Sequence, residues 1–285
     1  MLHSLVLVLQ LQLGGPAAPE APAVDTTIAV TASTQFRLEA SAGRVAIRAW
    51  DRLAVRVVAT PVRGTTVRVT SSPNLVSVNG GAGGRIDDAE YEITIPRRMS
   101  VTVGSGDLSI DITGCECDIT AKNYSGTISV QQVKGTLVAK SVMGEVSLQN
   151  IVGRISAQSQ NAPIRLTDVQ GDVEAEGSAH HIYLTRVDAK TLTASTVSGV
   201  IWFSGAVHAD GRYSLATHSG SVFLTVAEPF NATLHVTTVS GGFSSSLPST
   251  REDGPRRGRF TVKFGTGAAN VDVETFNGGI VVRPP

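Results

Sequence analysis

No run of roughly eighteen apolar residues occurs in the chain, so nothing in it reads as a membrane-spanning helix. Charge is scarce. The 24 basic and 24 acidic residues make up 17% of the 285 and cancel. A general nucleic-acid binder needs a basic face to displace counterions, so that class of partner is excluded. Cysteine is nearly absent, with only Cys115 and Cys117. Two places apart on a strand they would point the same way in a geometry that strains a bridge. No second cysteine pair or nearby histidine completes a zinc set. They read as structural or incidental, and no metal or cofactor is expected.

What the chain has in quantity is glycine, 29 residues, among recurring Ser, Thr and Val. β-Branched residues suit a pleated surface and glycine suits tight corners, so strands and turns are expected throughout. The amino terminus stands apart. An apolar core over residues 5–13 gives way to Gly and Pro, then to Ala21-Pro22-Ala23. Small residues three and one places before a cut are what signal peptidase accepts, so residues 1–23 read as an export signal. The mature protein is then expected in the periplasm, at the cell surface or outside the cell.

The rest of the chain counts in nines. Gly135, Gly153 and Gly171 hold one phase, continued by Cys117 and Ala189; Gly126 and Gly144 hold the other, nine residues out of step. Internal periods of this size mean a stacked array. In the first half of each repeat an apolar trio recurs, such as Val146, Leu148 and Ile151, or Ile164, Leu166 and Val169. In the second half the middle member is small: Ala121, Ala139, Ala157, Ala175, Ala194. Period-two alternation gives strands with these residues inward. A large wall facing an alanine wall lets a thin solenoid close without voids.

The expected fold is therefore an all-β solenoid of about 18 residues per coil in two nine-residue halves, with roughly nine or ten coils and a length of about 45 Å. Residues 101–285 carry the repeat, with an irregular insertion over 227–264. Residues 24–100 alternate without the strict period, as at Phe36 and Leu38 or Tyr91, Ile93 and Ile95. They are either first coils or a separate β segment, and in both cases a cap. Calcium-binding nonapeptide rolls also count nine, but glycine is followed by aspartate too rarely here for a ligand ladder.

The segments "VTVGSGDLSI", "YSGTISV", "VMGEVSL", "VQGDVEA" and "THSGSVFL", preceded by "YEITIPRRMSV", resemble the putative-adhesin repeat family, a domain of unknown function in exported bacterial proteins. The likeness spans roughly residues 28–283. It implies a β-solenoid, no established enzymatic activity, and an adhesive or scaffolding role. Some members are similar in setting to envelope-stress regulators, which implies one defined protein partner instead.

Inward positions are spent on the core, so function is sought outward. The residue between the first two inward positions of each first half reads Ser109, Ser129, Ser147, Arg165, Tyr183, Trp202, Phe223 and Ser244. Three large aromatics in succession, beside Arg165 and His181, are expected to form a flat platform for sugar faces or a protein. The competing expectation is that they pack on cross-strand neighbours or lie under the 227–264 insertion. That insertion holds Arg251, Arg256, Arg257 and Arg259, a candidate basic loop for an anionic polymer. Carboxylates such as Asp107, Glu145 and Asp172 stand apart, with no paired acid one coil away. A polysaccharide-active β-helix enzyme is accordingly the weaker alternative to a non-enzymatic binder of glycan or envelope protein.

Overall fold

The computed structural model describes residues 24–62, 66–81, 88–254 and 258–285. The export signal expected over residues 1–23 lies outside them. Among the described residues every regular element is a strand. The chain is an all-β solenoid with two walls.

One wall contains Ile119–Asn123, Leu137–Ser141, Ile155–Ser159 and Val173–Gly177. The other contains Ile128–Lys134, Val146–Val152, Ile164–Gln170 and the start of Ile182–Ser198. Pairing is parallel and joins each residue to the one 18 further on, as Leu137 to Ile155 and Val146 to Ile164. Later the step lengthens, from Ile182 to Ile201 (19) and from Ile201 to Val222 (21).

Alternation decides the interior. Ala121, Ala139, Ala157, Ala175 and Ala194 are fully buried and stack on one another, while the other wall supplies Val130, Leu148, Leu166 and Leu184. Burying each such large side chain contributes about 1.5–3 kcal/mol. The alanine stack is confined to the middle of the rod. Toward one end Val103, Leu38 and Val78 continue it, and toward the other Leu215, Val273 and Val236. The core thus widens at both ends.

The ends are interleaved. Gln35–Trp50 pairs in parallel with Val101–Thr113 on one side, and with Leu75–Gly80 and Asp88–Pro96 on the other. The chain lays down this rung, travels outward to build the next, and returns past it. Residues 24–100, expected as a cap or as first coils, therefore supply two rungs plus antiparallel strands at Val24–Ala29, Ala54–Pro61 and Val67–Ser72. The far end mirrors this. Ala269–Asn277 and Ile280–Arg283, last in sequence, lie between the rung of Arg212–Val226 and the rung of Ala232–Ser245. The segment 227–264, expected as an irregular insertion and one candidate cover for the aromatic column, supplies the outermost rung and the antiparallel strands Thr250–Asp253 and Arg259–Phe264.

Corners need glycine for a stated reason. At Gly153 φ is 143°, and a Cβ there would overlap the carbonyl oxygen of Gly135 one rung below. Gly171 meets Gly153 in the same way. The opposite corner is held from inside by a buried polar column. Ser159 donates to the Gly144 carbonyl at 3.0 Å, Thr196 to His180 at 3.0 Å and Thr217 to Gly199 at 2.9 Å. The buried carbonyls of Gly144 and Gly199 are thereby satisfied, which spares about 1–3 kcal/mol each. Cys115 and Cys117 form a disulfide with a Cα–Cα distance of 5.4 Å. The expectation of strain assumed a strand, whereas the pair sits in the corner between Val101–Thr113 and Ile119–Asn123, where the chain is not extended.

Candidate functional site

Parallel register brings five of the sequence-selected residues together. Ser147, Arg165, Tyr183, Trp202 and Phe223 occupy successive rungs in one outward column. The column differs from expectation at both ends. Asp111, not Ser109, precedes Ser129, because the frame of Val101–Thr113 is shifted by two. Val281 intervenes between Phe223 and Ser244, a consequence of the interleaved last rung.

The rings stack on each other rather than lying flat on the wall. Tyr183 and Trp202 are parallel, with centroids 4.8 Å apart, and Trp202 and Phe223 are 5.8 Å apart at 9°. The Arg165 guanidinium covers the free face of Tyr183, 4.4 Å from its centroid. Glu145 in turn fixes Arg165 through a 2.8 Å ion pair. His181 sits edge-on to both Tyr183 and Trp202, at 6.0 and 5.2 Å. Its Nδ1 accepts a hydrogen bond from the Val200 amide at 3.0 Å, which places the neutral ring's proton on Nε2.

This geometry changes what the column offers. Ring faces are occupied by other rings and by Arg165, so ring edges face outward, all three aromatics being half-buried. Among the described residues, neither Trp202 Nε1 nor Tyr183 OH has a hydrogen-bond partner. A parallel column of Thr167, Thr185, Ser204 and Thr225 adds hydroxyls beside it. The surface is a row of donors and acceptors on a stiff apolar ridge.

The basic segment does not join this column. Arg251 pairs with Asp253 at 2.9 Å and lies 3.8 Å over the Phe260 ring, within the hairpin that closes the rod. Arg259 begins the partner strand and is exposed, and Arg256 and Arg257 lie outside the described residues. The histidines are dispersed: His208 meets Asp188 at 2.5 Å, and His218 stacks on Phe276 at 4.7 Å.

Sequence reading overlooked the other wall. Lys122, Lys140, Gln158 and Glu176 stack in register beside a cavity of 480 Å³. Their spacing of 18 is visible in the sequence, but an outward polar residue looks like ordinary solvated surface until the register is known.

The sequence matches the Toastrack DUF4097 family over residues 25–283. No curated protein matches it. A crystal structure of a "putative cell adhesion protein" from Clostridium sporogenes is similar at 8% identity, covering 92% of this chain and 100% of that one, with a TM-score of 0.21. A likeness that slight carries no argument.

Proposed function

The chain belongs to the Toastrack DUF4097 family, and from that premise we propose that it is a non-enzymatic binding scaffold, exported to the cell envelope. It holds an envelope protein or glycan against the column from Arg165 to Phe223. The observation that carries this is the stacked, half-buried ladder with unpartnered Trp202 Nε1 and Tyr183 OH at its edge. Aromatic rings that keep a polar handle free are characteristic of binding surfaces. Because the faces are taken, recognition runs through edge hydrogen bonds and shape, which favours a protein surface over sugar stacking.

A non-enzymatic role is supported by how the carboxylates are employed. Glu145 is engaged by Arg165, Asp172 faces Arg154 at 3.8 Å, and Asp107 accepts from Ser125. Each ties one rung to the next.

The test compares residues 24–285 with a Trp202→Ala variant on a glycan array and against a panel of purified envelope proteins. Saturable binding that Trp202→Ala abolishes, in a variant that still melts cooperatively, is the expected result. Equal binding by both forms would remove the ladder from function. Losing one ring also removes two stacking contacts, so the melting temperature should fall by the equivalent of about 1–3 kcal/mol.

A further inference from the structure

We infer that the wall opposite the aromatic ladder carries a groove for an extended peptide, acidic at one end and apolar at the other. The cavity beside Lys122, Lys140, Gln158 and Glu176 ends at Gly177 and Ser195, and a second cavity of 290 Å³ begins at the same two residues. They form one groove. Its floor column continues in register from Ser195 through Ala216 to Glu274. Six steps of about 4.8 Å give a length of roughly 29 Å, which an extended chain spans in about nine residues.

The two ends differ in chemistry. At one end Lys122 and Lys140 stand on adjacent rungs, and neither has an acidic partner among the described residues. Several cations on nearby rungs are paired, among them Arg154, Arg165, Arg186 and Lys190, and what sets Lys122 and Lys140 apart is that they stand opposite one another. Like charges directly opposite each other on neighbouring strands are destabilising, and a carboxylate laid between them removes that cost. At the other end the groove is bordered by Val197, 57% exposed, and Phe276, 49% exposed, with His218 on the rung between them and Val239, 67% exposed, on the next rung. Such apolar exposure in one line marks a contact surface. Between the ends the lining is amide and hydroxyl: Gln158, Gln160, Ser178, Ser195. Gln158 also donates to Glu176 at 2.6 Å, and the rest match the exposed N–H and C=O of an extended backbone.

The same features select among occupants. One face of the Phe276 ring is taken by His218, and the remaining ridge is aliphatic, which suits apolar side chains better than sugar rings. Glu176 and Glu274 line the groove away from the lysines and repel a uniformly anionic polymer.

A phage-displayed random decapeptide library, panned on residues 24–285, tests this. Enriched peptides should place Asp or Glu near one end and bulky apolar residues near the other. A fluorescein-labelled peptide of the enriched sequence should lose at least tenfold in affinity, by anisotropy, against Lys122→Glu/Lys140→Glu and against Phe276→Ser. It should bind Trp202→Ala unchanged, which separates this groove from the ladder. These side chains are outward, so the variants are expected to fold, and thermal melts will verify that. No enrichment, enrichment without the charge pattern, or equal binding by the lysine variant would each overturn the inference.

Discussion

Ending the chain at Ala268 should unfold one end of the rod and leave the rest standing. The deleted residues form the rung between Arg212–Val226 and Ala232–Ser245. Val271, Val273, Ile280 and Val282 within it are essentially inaccessible. At about 1.5–3 kcal/mol each, their burial supplies roughly 6–12 kcal/mol, comparable with the whole stability of an ordinary domain. The outer rung also loses the strand on which its inner edge pairs. In a solenoid each rung contacts only its neighbours, so the damage stays local. Hydrogen–deuterium exchange read by mass spectrometry is the assay. Amides in 232–245 and 259–264 should lose protection, while those in 119–188 keep theirs. Unchanged protection over 232–245 would mean that this rung can settle directly on the one below, and would refute the claim that the last strands complete the structure.

Other outcomes follow from single positions. Gly153→Ala places a methyl on the Gly135 carbonyl at a left-handed φ, and chemical denaturation should show a loss of more than about 1 kcal/mol. Ser159→Ala leaves the Gly144 carbonyl buried without its donor, at a cost of about 1–3 kcal/mol in the same assay. Asp25, Asp168 and Asp210 are held below the usual carboxylate range by hydrogen bonds from Arg56, Arg186 and Lys190. Their contribution is present above the unfolded value near 3.9 and is lost as pH falls through the lower folded values. The melting temperature should therefore drop below about pH 4, and drop less in Asp168→Asn; a flat profile from pH 4 to 2 would contradict this.

Inward and outward faces were legible wherever the step is 18, because alternation and the alanine positions repeat there without interruption. Which rung lies on which was not. Local periodicity says that Val273 points inward, but nothing near it says that it lies between Leu215, 58 positions earlier, and Val236. Only long-range pairing settles that. The slip at Ser109 has a similar origin, since two alternate frames of the same strand both satisfy the pattern. One signal was present and missed. A small polar residue stands two places after most of the stacked alanines, at Asn123, Ser141, Ser159 and Thr196, and these are the residues that fasten the corner from inside. The aromatic ladder was found by sequence, but its orientation was not, because ring rotation depends on neighbours one rung away.

Chain ends usually fray, and fraying is where proteases start and where pulled proteins begin to unzip. In this rod the carboxyl-terminal strands are gripped on both sides, so a force applied there must break two parallel ladders together instead of peeling one. The outermost strands belong to chain segments joined at both of their own ends. Tension on strands placed like these is shared into the stack from the first moment it is applied.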